Sequence, residues 1–162
     1  MGSDRIKSVS DSVSIGIPSN EIWEAVSDVT RVPEWSPECV KVRWENPPID
    51  SLIGAKFVGS NKRGWLRWKG YCEVTKVIPG RNFSYEVRPV PWIRPVTRWT
   101  WDIRVESAGV SLVTLVCEVQ VHYITVLGRI LFGPLEQRMA EVSRDIHVTL
   151  RRLKSSLESE RS

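Results

Sequence analysis

The chain is poor in the residues that hold metals and disulfides. It has three cysteines, Cys39, Cys72 and Cys117, and two histidines, His122 and His147, all widely spaced and with no C-x-x-C pair. A structural zinc site needs about four such ligands at close spacing, and a disulfide framework needs an even, clustered set. Neither pattern is present, so reduced thiols, no metal and no cofactor are expected. Long apolar runs are missing as well, which argues against a membrane-spanning helix. The opening MGSDRIKSVSDS lacks an apolar signal segment, and Ile6 stands where a myristoylation signal after Gly2 wants Ser or Thr. A cytoplasmic location is the expectation. Nor is there a long basic run. The 23 bases against 19 acids leave a net charge of +4, which favours anions without the basic stripe of a nucleic-acid binder.

Tryptophan is what the chain has in excess. Phe and Tyr number three each, yet there are eight tryptophans: Trp23, Trp35, Trp44, Trp65, Trp68, Trp92, Trp99 and Trp101. That much rigid aromatic surface exceeds what one core needs and points to an interior that is lined as well as filled. With 162 residues, 41% apolar and 26% charged, residues 1–162 are expected to form one globular domain with a core from about 9 to 157.

Alternation of Val9, Val13, Ile15 and Ile17 with small polar residues predicts an opening strand. Pro18 ends it. Ser19 or Asn20 is then expected to cap a short helix carrying Ile22, Trp23 and Val26, with a second helical turn around Val29 to Trp35. Trp35 and Pro37 of EWSPEC close this connection. Six stretches with the period of strands follow: CVKVRWE, AKFVGSNK, LRWKGYCEVTKV, NFSYEVR, VTRWTWDIRVE and VSLVTLVCEVQVHY. The breaks between them carry Gly, Pro or Asn. Leu127, Leu131, Leu135, Met139, Val142, Ile146, Leu150, Leu153 and Leu157 then form one helical stripe, which Gly133 and Pro134 should kink or restart. Short connections predict a curved seven-stranded antiparallel sheet. Only the long C-terminal helix can cover its apolar face, so the fold class is α+β with a hollow between sheet and helix.

This order resembles the START-like, helix-grip superfamily over roughly Val9 to Leu157. The residues that carry the resemblance are IPSNEIWEAVSD leading to EWSPEC, the G-x-K-F-x-G-x-N-x-R-G of Gly54 to Gly64, PGRNFSYEV, TRWTWDI and the closing LRRLKSSLE. They are most similar to the actinobacterial branch labelled polyketide cyclase/dehydrase-like. The resemblance implies a cavity for a hydrophobic or amphipathic small molecule. Members range from lipid and hormone binders to aromatase/cyclases.

Alternation also assigns side chains to that cavity. From the strand after Gly54 the inward set is Phe57, Gly59 and Asn61. The next strands contribute Leu66, Trp68, Gly70, Cys72 and Val74, then Phe83, Tyr85 and Val87, then Thr97, Trp99, Trp101, Ile103 and Val105. The last strand adds Val113, Leu115, Cys117, Val119, Val121 and Tyr123, and the helix adds Leu131, Leu135 and Met139. Val40, Val42 and Trp44 share one face of the strand after EWSPEC. Cys39, Lys41, Arg43 and Glu45 share the other, which puts Cys39 outside the cavity. Apolar walls with a few polar groups, here Asn61, Cys72, Tyr85, Thr97 and Cys117, are what small-molecule sites look like.

Titratable pairs are scarce. His122 is read as outward and His147 as the edge of the helical stripe. Two functions therefore stand: a binding or carrier module for a hydrophobic ligand, and a polyketide cyclase, dehydrase or aromatase. The second needs no nucleophile if Tyr85, Asn61 or Arg138 donates to a developing enolate. Topology also gathers the loops NKRGW, RPVPWIRPV and HYITVLGRILFG at the end where the helix begins. Trp65, Trp92, Ile93, Ile124 and Leu127 there meet Lys62, Arg63, Arg88, Arg94 and Arg129. Such a rim suits an anionic amphiphile or transient contact with an anionic membrane, unless Trp92 folds back as a lid.

Overall fold

The computed structural model describes residues 6–120 and 126–162. The expectations for Val121, His122, Tyr123 and Ile124, and for the side chain of Leu127, lie outside what it describes.

β1 (Ile6–Ile15) is followed by α1 (Ser19–Ser27) and a 3-10 turn (Val29–Glu34). Then come β2 (Cys39–Trp44), β3 (Lys56–Arg63), β4 (Leu66–Ile78), β5 (Asn82–Arg88), β6 (Thr97–Ser107) and β7 (Val110–Gln120). The chain closes with α2 (Val126–Phe132) and α3 (Leu135–Arg161). All seven strands form one sheet in the order β1-β7-β6-β5-β4-β3-β2, with every neighbouring pair antiparallel. The meander from β2 to β7 needs only short turns, and β1 closes the far edge by pairing with β7. The fold is thus α+β, an antiparallel sheet gripping a long helix, as the alternation predicts.

Local departures have local causes. α1 is not capped by Ser19 or Asn20, which already lie in the helix. Pro18 is the N-cap, and its carbonyl accepts from the N–H groups of Glu21 and Ile22 at 3.1 and 3.2 Å. The helical ladder therefore opens one residue earlier than a side-chain cap would set it. At the other end Gly133 adopts φ +78°, a conformation glycine takes without strain, and Pro134 starts α3 as its N-cap. The apolar stripe breaks there. Met139, Val142, Ile146, Leu150, Leu153 and Leu157 stay buried in α3, but Leu131 of α2 is 41% exposed. Across the break the phase is lost, so Leu131 does not join the buried stripe as expected, and Phe132 turns inward instead.

Bulges decide two further positions. One between Val105 and Ser107 precedes the β6–β7 turn, and Val105 is 73% exposed there instead of inward. Another between Cys39 and Lys41 exchanges the faces at the start of β2. Val40 is consequently exposed.

The core joins β1, α1, the sheet interior and α3 in one cluster, with Ile15, Ile22, Trp35, Phe83, Ile103, Val113 and Leu150 at its centre. Each such side chain contributes about 1.5–3 kcal/mol of burial. The α3 backbone runs closest to β1 and β7. It reaches β2, β3 and β4 through long side chains, and that is where the site lies. Among the described residues no helix is long and apolar enough to cross a membrane.

Candidate functional site

The inner face of the sheet has a buried floor and a more accessible wall. Phe57, Cys72, Phe83, Trp101, Leu115, Cys117, Val119 and, from α3, Met139 are buried. Phe57 packs edge-on to Trp44 and Tyr85, with ring centroids 5.5 and 5.1 Å apart. Asn61, Trp68, Tyr85, Thr97, Trp99 and Leu135 retain partial exposure although alternation points them inward. Strand register sets Asn61 beside Trp68, and Tyr85 beside Trp99, which in turn neighbours Cys117.

Two glycines meet at the middle of this wall, and Val87 fills the space over one of them. Gly59 of β3 and Gly70 of β4 stand directly opposite each other on the inner face. A Cβ on Gly70 would meet Val87 Cγ1 at 2.9 Å, so any larger residue there requires the Val87 side chain to move. A Cβ on Gly59 would meet only Cys39 Sγ at 3.7 Å and Asn61 Nδ2 at 4.0 Å. The Asn61 amide and the Cys39 thiol therefore border a lane over Gly59. This corrects the outward placement of Cys39: the β2 bulge slips the register by one residue and turns its thiol to the inner side.

No cysteine is activated. Burial raises the Cys39 thiol to about 11 and the Cys72 and Cys117 thiols above their ordinary value as well. All three are free thiols, protonated at neutral pH and poor nucleophiles. Burial also lifts the Tyr85 phenol well above its usual range, which keeps it a neutral hydrogen-bond donor.

The charged part of the site is one that the strand and helix patterns did not reveal. Arg138 of α3 forks onto Glu38, with Nη1–Oε1 at 2.7 Å and Nη2–Oε2 at 3.0 Å. Arg63 of β3 reaches the same Oε1 at 2.7 Å. The Arg138 guanidinium also lies 4.7 Å from the Phe132 ring centre and 5.7 Å from that of Trp68, two rings that meet edge-on at 5.0 Å. Glu141 approaches Arg63 at 3.6 Å and Arg138 at 3.5 Å, and Asp145 Oδ2 lies 3.6 Å from Arg63. Two guanidinium groups thus face three carboxyl groups, so full ionisation would leave one unbalanced negative charge in a half-buried place. Asp145 resolves the imbalance. Burial, together with its hydrogen bond to the Glu38 carboxylate and the charge there, pushes Asp145 up to about 7. Burial works against the charge on Glu38 too, but the Arg138 fork outweighs it and holds Glu38 below its ordinary value. Asp145 Oδ2 is buried and, as a carboxylate oxygen, has no hydrogen-bond partner. A proton on Asp145, shared with Glu38, satisfies it.

Of the three candidate donors, Asn61 and Tyr85 sit on the wall, whereas Arg138 is already committed to Glu38. His147 is half-exposed on α3 and pairs with Asp11 of β1 at 2.8 Å, away from the wall. Among the described residues no group of His, Cys, Asp or Glu is arranged to hold a metal ion. The rim residues are open: Trp65 is 87% and Trp92 82% exposed, so Trp92 does not fold back as a lid.

A sheet gripping one long helix, with an aromatic inner wall at the helix's first turns, defines a START-like, helix-grip protein. More narrowly, the chain belongs to the family described as polyketide cyclase / dehydrase and lipid transport, which matches residues 7–158. Its structure is similar to a START superfamily protein from Mycobacterium smegmatis, with a TM-score of 0.74, 13% identity, and 94% of this chain and 97% of that one covered. It is also similar to the Zhui aromatase/cyclase of a Streptomyces species, with a TM-score of 0.70, 18% identity, and 98% and 97% covered. A polyketide cyclase-like protein of Corynebacterium glutamicum is 27% identical, with a TM-score of 0.63 and 96% and 94% covered. Among curated proteins none matches the sequence.

Proposed function

We propose that the chain binds a hydrophobic or amphipathic small molecule, lipid-like or polyketide-like, between the inner face of β3–β7 and the first turns of α3. The observation that carries this is the lane over Gly59, bordered by Asn61 and Cys39 and adjoining the partly exposed Trp68, Tyr85 and Trp99. Apolar surface left accessible on the concave side of a sheet is unfavourable in water, and a ligand that covers it recovers about 25 cal/mol per Å². The wall offers few polar groups, so shape and apolar area would decide affinity, with Asn61 and the Tyr85 hydroxyl orienting a polar end. Cys72, Thr97, Cys117 and Val119 complete the proposed lining with Phe57, Phe83, Trp101, Leu115, Leu135 and Met139. Leu131 sits outside it. A reduced, cytoplasmic setting fits the free thiols.

Native mass spectrometry of protein purified from its own host is the test, and a co-purifying lipid or polyketide is the expected result. Gly59→Leu would fill the lane from a Cβ that meets only side-chain atoms, and at least a ten-fold loss of that ligand is expected with the fold retained. An empty protein, or unchanged binding in Gly59→Leu, would sink the proposal.

One observation favours a second reading, a cyclase, dehydrase or aromatase working in the same hollow. Asp145 and Glu38 share a proton near neutral pH, and through Arg138 they adjoin Trp68 on the wall. Cyclisation with dehydration needs both a donor and an acceptor at that pH. Turnover of a synthetic poly-β-ketone by the wild type that drops on Tyr85→Phe and on Asp145→Asn would establish it.

A further inference from the structure

The rim at the open end of the sheet has no role in ligand binding as argued above, yet it exposes apolar surface at considerable cost. Trp65 in the β3–β4 turn and Trp92 in the β5–β6 loop are 87% and 82% exposed, and Ile130 of α2 is 73% exposed. Ile93 and Leu131 add to them at 41% each. Antiparallel order brings the β3–β4 and β5–β6 connections to the end where α2 begins. Exposed tryptophan on two separate segments, beside exposed isoleucine on a third, marks a contact surface at one end of the molecule.

Charge says what covers it. The segments NKRGWLR (61–67), RPVPWIRPVTR (88–98) and VLGRILFGP (126–134) contain bases and no acid at all. Lys62 and Arg67 stand directly opposite each other in the β3–β4 ladder, a like-charge pair that is unfavourable unless an anion lies over it. Both are exposed, as is Arg129, and no acidic partner engages these three within the described residues. The opposite end of the molecule carries a modest acidic surplus, with a cleft lined by Glu21, Glu24, Asp28 and Glu160 against Arg31 and Arg161. A planar anionic surface would attract one end and repel the other.

The geometry points to an anionic lipid bilayer as the partner of this rim: Trp65, Trp92 and Ile130 enter the headgroup region while Lys62, Arg67 and Arg129 meet lipid phosphates. The inference rests on the binding reading above only for its purpose, delivery or collection of an amphiphile at the membrane. The docking itself is independent of cavity occupancy.

Sedimentation of the full chain with vesicles tests it, using phosphatidylcholine alone and an equal mixture of phosphatidylcholine and phosphatidylserine. The protein is expected to sediment with the mixed vesicles and not with the neutral ones, and to be released by salt. The double variant Trp65→Ala/Trp92→Ala is expected to lose most of the bound fraction while its circular dichroism stays native. Lys62→Ala and Arg129→Ala should each weaken binding on the order of five-fold. Equal sedimentation with both vesicles, none with either, wild-type binding by the double variant, or preferential retention on nucleic acid would overturn the inference. Native mass spectrometry of the same preparation separates the two readings. Protein that carries a ligand yet ignores vesicles loses the docking and keeps the cavity, and protein that sediments while empty does the reverse.

Discussion

Single residues in this protein act through the backbone that carries them. Cys39 belongs to the inner wall because one extra residue is bulged out of β2, and its thiol, like those of Cys72 and Cys117, is held protonated by burial. A thiol reagent at pH 8 should therefore label Cys39 slowly, leave Cys72 and Cys117 unreacted in the native protein, and modify all three once the chain is denatured. Rapid native labelling of any of them would contradict the wall as described. Gly70 is a second case. Its missing Cβ admits Val87 at 2.9 Å, so Gly70→Ala should lower stability by about 1–3 kcal/mol, and pairing it with Val87→Ala should restore part of the loss. Thermal unfolding of the two single variants and the double measures that coupling. The alternation of residues makes Gly70 inward, but only the distance to Val87 shows that a larger residue must displace that side chain.

Elements differ in how firmly they are held, and the α2–α3 break is the clearest instance. Leu131 and Leu150 occupy the same periodic stripe in the sequence, yet Leu150 is 1% exposed against β1 and the sheet, while Leu131 is 41% exposed beyond the Gly133–Pro134 restart. Leu150→Ala should cost about 2–5 kcal/mol because it opens a cavity, whereas Leu131→Ala should stay within about 0.5 kcal/mol. Chemical denaturation of the two variants distinguishes a single stripe from a broken one. Gly and Pro at 133 and 134 announce the break. Which side of α2 then turns inward was not legible, because periodicity cannot be carried across a residue with positive φ.

At the scale of the whole molecule, α3 is tied to the β2–β3 corner by the Glu38, Arg63, Arg138, Glu141 and Asp145 network. These residues come together from positions separated by about a hundred residues of chain. Asp145 carries its ordinary value of 3.8 in the unfolded chain and about 7 in the fold, so the native state holds a proton that the unfolded state has released. That contribution is complete below the unfolded value and is lost as pH rises through the folded one, which means stability should fall from about pH 4 to about pH 7 and level off above it. Asp145→Asn removes the titration and should flatten the profile over that interval. A wild-type melting temperature that is unchanged or rises over the same interval would show that the carboxyl groups do not share a proton.

The sequence by itself determined the order of elements, the inward faces of β3 to β7, the restart at Gly133–Pro134 and the crowding of aromatic side chains along the inner wall. Those follow from local rules: alternation in strands, a stripe in a helix, and turn residues between them. Tertiary structure alone decided the bulges in β2 and β6, which slip a pattern by one residue without leaving a mark in it. It also decided the facing of Gly59 with Gly70 across a ladder, and the gathering of Glu38, Asp145 and Arg138. Residues so far apart in the chain carry no common period. Their pairing exists only once α3 lies across the sheet, where burial makes charge balance a condition of folding.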